Sequence, residues 1–406
     1  MLLDEVEDPL ETWQYAERYL GVGTRTYSRF AADLEISDAY HPQKGEKSFP
    51  LPTFWVTPEH GLYLRSSVES SLHEIYHDGD RFLLPVHPET VGHPGLFGRK
   101  QLLSCLKGPT VEVVPTANAR TVFVERYDGH DVEPHFLKLH YPKRLSRFTR
   151  RLRRPIVTLQ LWVTGELARI GAPFLPEVGA GLFTHDAKES WGFVAREVAP
   201  LRPSRIPVTV PLFSLYGSDY LSPQDPTLLE QLVVVSGECA EEYITKRIVE
   251  PMVRLWLEVV RTTGCALELH GQNALFAFST AGAGTEIRYR DCAIYVDPLI
   301  RQHLRLGADL PPVNVISRDI PFPREQVFSL TYDSFMGHHA FEYLAKIASE
   351  RLGVSHGALR HAARREFGRS GGGEDLLPKK VYYYDDALHS DGRWQLVETD
   401  AAPAWR

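Results

Sequence analysis

Cysteine is scarce in this sequence. Its 406 residues include four cysteines, scattered along the chain at Cys105, Cys239, Cys265 and Cys292. Their spacing does not match that of structural zinc sites, and they do not form the dense framework of a small disulfide-stabilised domain. The sequence therefore predicts neither a zinc site nor disulfides, and it favours a reducing compartment, the cytoplasm.

Long uncharged hydrophobic runs are also missing. No apolar stretch reaches the roughly 20 residues that a membrane-spanning helix needs. The N-terminus, from Met1 to Glu5, turns acidic at once and lacks the basic and apolar regions of a signal peptide. We expect a protein that is neither secreted nor embedded in a membrane.

An excess of positive charge is absent as well. Lysine and arginine together number 45 against 52 aspartates and glutamates, which gives a net charge of -7 and an isoelectric point near 6.2. This balance argues against a nucleic-acid partner. With 43% hydrophobic and 24% charged residues the composition is that of a globular protein, and the length predicts two or three subdomains.

One segment, residues 267–276, places a carboxylate, an imidazole and two amides between hydrophobic residues. As a strand, Leu267–Phe276 would place Glu268, His270 and Gln272 on one face by the period-2 rule. The run Thr285–Asp291 then predicts a paired second strand that ends in a carboxylate. Carboxylate and amide oxygens in such a place suit Mg²⁺.

A second interpretation of these residues is structural. Glu268, His270 and Arg290 would form a buried hydrogen-bonded network that only braces a sheet, because buried polar groups need partners wherever they occur. The spacing alone leaves both interpretations open.

The same residues resemble a known family. The His-Gly-Gln-Asn run at 270–273, with Glu268 before it and Arg290 and Asp291 after it, is similar to the signature of the siderophore synthetases that work without a peptide-synthetase template (NIS synthetases), of the aerobactin-synthetase type. In that family the motif belongs to an ATP site where a carboxylate is adenylated and then passed to an amine or a hydroxyl.

Other parts of the chain fit the same family. A loop between two predicted strands, Thr110–Val114 and Thr121–Glu125, resembles the family's phosphate-binding loop, although it lacks the usual serine. A strand from His135 to Tyr141 and the basic segment after it follow. The resemblance implies an ATP site made of Thr116, Asn118, Arg120, Thr121, Lys138, Arg150, Glu268, His270, Gln272 and Asn273. Cations suit this task because charge-assisted bonds to phosphate are strong.

The resemblance also implies roles within that site. It implies Mg²⁺ on Asp291, Glu268 and Asn273, and catalytic roles for His270, Arg120 and Lys138, which would steady the phosphates and the charge that develops at the α-phosphorus.

Two His-Pro pairs and a C-terminal lysine resemble the family's substrate-carboxylate residues. They are His41 with Lys44, His87, and Lys379. The family usually continues the second His-Pro pair with Trp-Gln, whereas Glu89 and Thr90 stand here. A citrate-like acid is therefore in doubt.

The family fold supplies the expected architecture. It is α+β, a mostly antiparallel sheet flanked by helices, with fingers and palm and a reduced N-terminal thumb. We expect a thumb-like region at 1–80, an ATP-binding fingers region at 81–225 and a palm-like region at 226–406. The periodicity predicts helices at Asp8–Phe30, Thr158–Ile170, Thr227–Thr263, Phe335–Arg351 and Ser355–Arg365.

The expected protein is thus an ATP-dependent ligase that joins a small carboxylic acid to an amine or hydroxyl in siderophore or related biosynthesis. It would form a homodimer, as family members often do. Two alternatives remain open. One is a kinase-like phosphotransferase. Evidence against it is Gln272, which stands where such kinases have a catalytic aspartate after His-Gly. The other is a degenerate homologue that binds ATP without turnover.

Overall fold

The structure is a computed structural model of the chain. It describes residues 1–21, 35–145, 148–149, 151–186, 189–202, 204–280, 284–307, 309–311, 316, 323–371, 376–385 and 395–406. The predicted ATP ligand Arg150 lies outside these residues, as does most of the second half of the predicted helix Asp8–Phe30.

Strands dominate the first half of the chain. In chain order they are β1 (Phe49–Leu51), β2 (Thr53–Val56), β3 (Gly61–Arg65), β4 (His77–Asp78), β5 (Arg81–Pro85), β6 (Leu106–Lys107), β7 (Val111–Pro115), β8 (Thr121–Tyr127), β9 (His130–Leu139), β10 (Arg144–Leu145), β11 (Phe148–Thr149), β12 (Glu177–Asp186), β13 (Glu189–Glu197), β14 (Val208–Pro211), β15 (Cys265–Ala266), β16 (Ala274–Phe278), β17 (Thr285–Tyr289), β18 (Tyr295–Val296), β19 (Tyr382–Tyr384) and β20 (Leu396–Glu398).

Helices dominate the second half. They are α1 (Pro9–Tyr19), α2 (Leu72–Tyr76), α3 (Pro88–Gly92), α4 (Arg99–Ser104), α5 (Arg154–Ile170), α6 (Phe213–Tyr216), α7 (Leu228–Ser236), α8 (Ala240–Ile244), α9 (Glu250–Thr263), α10 (Pro298–His303), α11 (Arg324–Ser329), α12 (Glu342–Leu352) and α13 (His356–Arg369). Two π-helical segments, Thr245–Val249 and Leu330–Phe341, join consecutive α-helices.

A seven-stranded antiparallel sheet, ordered β1-β7-β8-β9-β13-β12-β3, organises the first half. Because successive side chains in a strand alternate between faces, each strand contributes to two different cores. One face, here called the small-sheet face, carries Leu137 and Ala195 and packs with the four-stranded sheet β4-β5-β2-β6. The opposite face, here called the charged face, carries Phe136, Lys138 and Arg196.

Helix α1 covers part of the charged face. Asp8 caps its N-terminus by accepting the N–H of Leu10 at 2.7 Å. Trp13 then packs edge-on against Phe136 of β9, with ring centroids 5.1 Å apart. Ala16 is buried in the main core of the C-terminal half. The helix therefore joins the sheet to the region that carries the His-Gly-Gln-Asn run.

The predicted helix Thr227–Thr263 is divided in the structure. Helix α7 ends at Gly237, which adopts the left-handed conformation with φ of 66°, and a new helix begins three residues later. The last piece, α9, buries Met252 and Trp256 as its apolar stripe predicts. Gly264 ends it with φ of 74°, the left-handed conformation that is common at helix C-termini.

The fold class predicted from the sequence is confirmed. Helices and sheets are both present, and apart from one isolated parallel bridge every strand pairing in the described residues is antiparallel. The predicted boundary at residue 80 falls in the hairpin between β4 and β5, and β1 and β3 lie in the same sheet as β9. The division into thumb, fingers and palm stays a prediction.

Candidate active site

The His-Gly-Gln-Asn run forms a tight turn. The carbonyl of His270 accepts the N–H groups of Asn273 at 3.0 Å and Ala274 at 2.9 Å. Gly271 donates to the carbonyl of His339 at 3.2 Å and accepts from Phe213 at 2.9 Å. The predicted strand Leu267–Phe276 was therefore wrong over residues 267–273, because these backbone groups bond within the turn and to two helical segments. Glu268, His270 and Gln272 do not share a strand face.

The second predicted strand, Thr285–Asp291, is confirmed for Thr285–Tyr289. β17 pairs with β16 in antiparallel register, with Ala274 opposite Tyr289. Arg290 and Asp291 follow directly after the strand, and Asp291 has φ of 81°. A non-glycine residue in this left-handed region is uncommon and marks a position that its surroundings hold in place.

Arg290 braces the turn. Its Nε donates to the carbonyl of Gln272 at 2.9 Å, and its Nη1 pairs with the carboxylate of Glu17 on α1. Both charged side chains are buried. The structural interpretation of the motif thus holds for Arg290, which links α1 to the backbone of the turn.

Asp291 points to the charged face of the large sheet. The Nζ of Lys138 donates to its Oδ1 at 2.6 Å. The Lys138 side chain is 1% exposed and that of Asp291 is 20% exposed, so the pair opens to solvent only on the carboxylate side. Two residues predicted for one site from distant parts of the sequence therefore lie in direct contact.

The charges around this pair set its ionisation. Burial lowers the pKa of Lys138, whereas the carboxylates of Asp291 and Glu177 oppose that shift. Burial also disfavours an ionised Asp291, but Lys138, Arg196 and Arg120 outweigh it and hold the pKa of the carboxyl well below its usual range. Asp291 is consequently a carboxylate at any pH near neutrality.

The predicted phosphate-binding loop reaches the same place. Thr121 pairs in register with Lys138 across β8 and β9, and Arg120 precedes it at the loop exit. The hydroxyl of Thr116 donates to the carbonyl of Thr121 at 2.6 Å and accepts the N–H of Asn118 at 3.3 Å. Thr116 therefore shapes the loop, while the charge of Arg120 acts on Lys138 and Asp291.

Glu268 lies beside Tyr289. Burial and then the Glu268 carboxylate raise the pKa of Tyr289, whose hydroxyl donates to the carbonyl of Asp291 at 2.7 Å. The predicted metal ligands Glu268 and Asp291 thus both lie near this tyrosine. The remaining one, Asn273, is buried in the turn.

The predicted Mg²⁺ site stays a prediction. Within the described ranges, no three His, Cys, Asp or Glu side chains cluster to hold a metal ion. Asp291 receives Lys138 and the N–H of Ala293 on Oδ1, and the described residues donate no hydrogen bond to Oδ2. Mg²⁺ commonly takes one or two carboxylates together with substrate phosphates, so Asp291 fits this chemistry.

His270 has a defined tautomer. Its Nδ1 accepts the N–H of Gln272 at 3.2 Å, so the neutral ring carries its proton on Nε2. The ring packs edge-on against Phe335 at 5.5 Å.

The four residues predicted for the substrate carboxylate are not brought together with this site by any contact among the described residues. His87 is buried, accepts the N–H of Glu89 as the cap of α3, and has its pKa lowered to about 4 by burial. His41 accepts the N–H groups of Gln43 and Lys44 in a turn. Lys44 and Lys379 are exposed.

Glu89 explains the altered His-Pro element. Its carboxylate accepts from Lys143 at 2.9 Å, from the N–H of Ser37 at 3.1 Å, and from the hydroxyl of Tyr141. The residue that replaces the family's tryptophan therefore ties the chain near residue 37 to the end of β9.

Sequence reasoning missed Glu177, Arg196 and Gln160. Glu177 is fully buried and pairs with Arg196 at 2.5 Å, while Gln160 of α5 donates to its other oxygen at 2.9 Å. Arg196, which directly follows the apolar residues Phe193–Ala195, was the available signal, because a charge that is buried needs a partner.

In its architecture the chain shares the fold of solved siderophore synthetases. The ATP-bound aerobactin synthetase IucA of Klebsiella pneumoniae superimposes with a TM-score of 0.69 at 16% identity, over 99% of this chain and 78% of that one. The petrobactin biosynthesis protein AsbB of Bacillus anthracis gives 0.68 at 12% identity, over 97% and 75%.

A third structure agrees. The aerobactin synthetase IucC of Klebsiella pneumoniae gives a TM-score of 0.62 at 15% identity, over 91% of this chain and 71% of that one. No protein-family model and no curated protein matches the sequence. At these identities the likeness establishes the fold. Among the described helices, none has both the length and the apolar character to cross a bilayer.

Proposed function

We propose that this chain is an ATP-dependent ligase of siderophore or related natural-product biosynthesis. It activates a small carboxylic acid as an acyl-adenylate, releases pyrophosphate, and passes the acyl group to an amine or a hydroxyl. The observation that carries the proposal is the contact between Lys138 and Asp291, with Arg120 beside them, in a fold shared with an ATP-bound synthetase.

The chemistry of activation explains this group of charges. A carboxylate is a poor electrophile, so its oxygen attacks the α-phosphorus and the bond to pyrophosphate breaks. Lys138 and Arg120 supply positive charge where the phosphate oxygens gain negative charge. Asp291, joined by Glu268 and Asn273, would hold Mg²⁺, which supplies charge neutralisation of the phosphates when it is bound.

His270 acts as a donor in this scheme. Because Nδ1 is taken by the backbone of the turn, Nε2 carries the proton that donates to an oxygen on the α-phosphate. Removing one such contact typically lowers the rate about 10²- to 10³-fold. We expect His270→Ala to lower AMP formation by this factor and to leave the fold intact, because its hydrogen bond to the turn is a single weak contact. A near-normal rate in this variant contradicts the assignment.

The deciding experiment resolves the nucleotide products. The purified protein is incubated with Mg²⁺, α-labelled ATP, hydroxylamine and a panel of di- and tricarboxylic and amino acids. Acid-dependent AMP and pyrophosphate support the ligase and identify its acid. ADP would favour a phosphotransferase, and ATP binding without turnover across the panel would favour the degenerate homologue. A homodimer and a cytoplasmic location stay predictions.

A further inference from the structure

Helix α5 begins with charges that its own dipole disfavours. The helix runs from Arg154 to Ile170, and Arg153 is its N-cap residue. The side chain of Arg153 makes no capping hydrogen bond, and the first turn of the helix contains no acidic residue. Because the N-terminus of a helix carries partial positive charge, anions are stabilising there and cations are not. The start of α5 therefore lacks the negative charge that would stabilise it.

A small cavity lies at this end of the helix. Its volume is about 90 Å³. That is room for roughly three water molecules at about 30 Å³ each, and it is well below the roughly 300 Å³ at which pockets for drug-sized ligands begin. Its polar lining includes His93, His140, Arg151, Arg153 and Ser190. A cavity of this size takes one small group, such as a phosphate or a carboxylate, and not a whole nucleotide.

His140 gives the cavity a buried donor. The residue is 8% exposed, and its Nδ1 accepts the N–H of Leu152 at 3.2 Å. The neutral ring therefore carries its proton on Nε2. Nε2 has no hydrogen-bond partner among the described residues, yet it is not one of the polar atoms that are sealed from solvent. Since His140 lines the cavity, its Nε2–H is open to a ligand there.

Further donors converge on the same space. The Oγ of Ser190 accepts the first N–H of α5 at 3.1 Å, which leaves its hydroxyl proton for a ligand. The Nδ1 of His93 accepts the N–H of Gly95 at 3.1 Å, so a neutral His93 ring also carries its proton on Nε2. Arg151 and Arg153 add guanidinium groups, which make strong charge-assisted bonds to carboxylates and phosphates.

The charges around His140 are mostly positive. Burial, and then the charges of Arg120, Arg151 and Arg153, lowers the pKa of His140 to about 3. The one carboxylate among the described lining residues is that of Glu189, which is exposed and lies 3.4 Å from Arg153. Three arginines and one carboxylate leave the region with net positive charge, and such a field attracts an anion.

We propose that this cavity, here called the α5 anion site, binds one small oxyanion, a phosphate or a carboxylate group. The Nε2–H of His140 and the guanidinium groups of Arg151 and Arg153 are its donors. The site shares no lining residue with the contact between Lys138 and Asp291. Binding there does not depend on the adenylation proposed above, which bears only on whether the oxyanion comes from a nucleotide or from the acid.

The test is calorimetric titration of the purified protein with inorganic phosphate, pyrophosphate and succinate, each at the same ionic strength. We expect the wild type to bind at least one of them. In the double variant Arg151→Gln/Arg153→Gln the affinity should fall about 10-fold or more, because two charge-assisted contacts are lost. Tighter binding of phosphate or pyrophosphate identifies the natural group as a phosphate, and tighter binding of succinate identifies it as a carboxylate.

A substitution of the histidine makes the result specific to the cavity. His140→Asn keeps an acceptor near the position of Nδ1 for the N–H of Leu152 and removes the Nε2 donor. It should therefore weaken binding of the same anion. Thermal melting of this variant and of the double arginine variant shows whether each is folded.

A matched control tests for a general effect of charge. Arg351→Gln/Arg364→Gln removes two exposed arginines near the ends of α12 and α13 and changes the net charge by the same amount. It should leave the affinity unchanged. Lys138→Met should also keep this binding, because Lys138 does not line the cavity.

The inference is overturned if the wild type binds none of the three anions at millimolar concentration. It is also overturned if the affinity is unchanged in Arg151→Gln/Arg153→Gln or in His140→Asn, or if the control variant loses as much affinity. Loss of binding in Lys138→Met alone would assign the anion to the proposed ATP site instead. A wild type that binds phosphate through these arginines but forms no AMP defeats the adenylation proposal and supports the α5 anion site.

Discussion

The two faces of the seven-stranded sheet bury their polar groups in opposite ways. On the small-sheet face, His135 of β9 bonds Tyr76 and the carbonyl of Glu133, and burial lowers its pKa to about 4. On the charged face, Lys138 of the same strand carries a full charge opposite Asp291. His135 and Lys138 are three residues apart on one strand, yet the first is buried as a neutral ring and the second in an ion pair.

The difference separates two kinds of polar burial. A neutral histidine with both nitrogens bonded rigidifies a core, and its cost appears only when acid adds a proton. A buried ion pair is often no more stable than an apolar pair of the same size, and loss of one partner leaves the other charge exposed to a low-dielectric interior. The charged face thus carries the kind of polar burial that adds little stability, and the small-sheet face carries the kind that rigidifies a core.

The largest effect on stability is expected from the buried pair between Arg290 and Glu17. Arg290→Met should lower the free energy of unfolding by about 3–5 kcal/mol, because it leaves the carboxylate of Glu17 buried without its cation. The combined change with Glu17→Met should lower it by less. Urea titration of both variants measures this. Arg169→Met, which removes an exposed arginine while Glu166 keeps its pair with Arg301, is the control and should cost less than about 1 kcal/mol. An additive double variant contradicts the buried-pair interpretation.

The next effect is on activity. Lys138→Met should lower AMP formation by about 10²- to 10³-fold, since it removes a cation from the phosphates. Lys246→Met, which removes a lysine from an exposed pair with Glu242, should leave the rate unchanged. Both rates come from the hydroxylamine assay. If the two variants behave alike, the charged face has no catalytic role.

The smallest effect is a pH dependence on the small-sheet face. The folded pKa of His135, about 4, lies below the ordinary 6.5, so the unfolded chain binds the proton more tightly. Stability is therefore intact above pH 6.5 and falls as the pH drops from 6.5 toward 4, by on the order of 3 kcal/mol for this residue. His135→Gln should flatten the curve of melting temperature against pH in that window. The exposed His361→Gln should not, and an unchanged slope in His135→Gln refutes the assignment.

The sequence pattern predicted part of the geometry around Lys138 and Asp291, for identifiable reasons. The pairing of β16 with β17 followed from two apolar runs separated by a glycine-rich turn. Lys138 and Asp291 were both named, although they are 153 residues apart. What joined them was the resemblance to a family, since no local rule relates positions at that distance.

Four histidines make a local hydrogen bond that the hydrophobic pattern of the sequence could not predict. His41, His87, His93 and His270 each accept the N–H of the residue two positions later on Nδ1. This local turn competes with a strand, and at His270 it adds one bond to the backbone hydrogen bonds that hold the turn. It also means that the two His-Pro pairs satisfy one ring nitrogen locally, a geometry that serves the backbone whether or not a ligand binds.

The partners of Glu177 could not be predicted at all. A buried carboxylate at the start of β12 needs a cation, and the choice of Arg196 over the other arginines depends on the register of β12 with β13, in which Glu177 lies opposite Arg196. The alternation within β13 fixes only which face Arg196 occupies and does not give this register.

The π-helical segment Leu330–Phe341 bears on how this chain can change in length. Its wider turns hold more residues than an α-helix over the same path, and the carbonyl of His339 within it accepts Gly271 of the turn. Deleting one residue there would allow α-helical winding over the same path, which would leave the helices on either side in place and shift His339 relative to Gly271. We therefore expect such a deletion to disturb the contact with the turn more than the packing of the flanking helices.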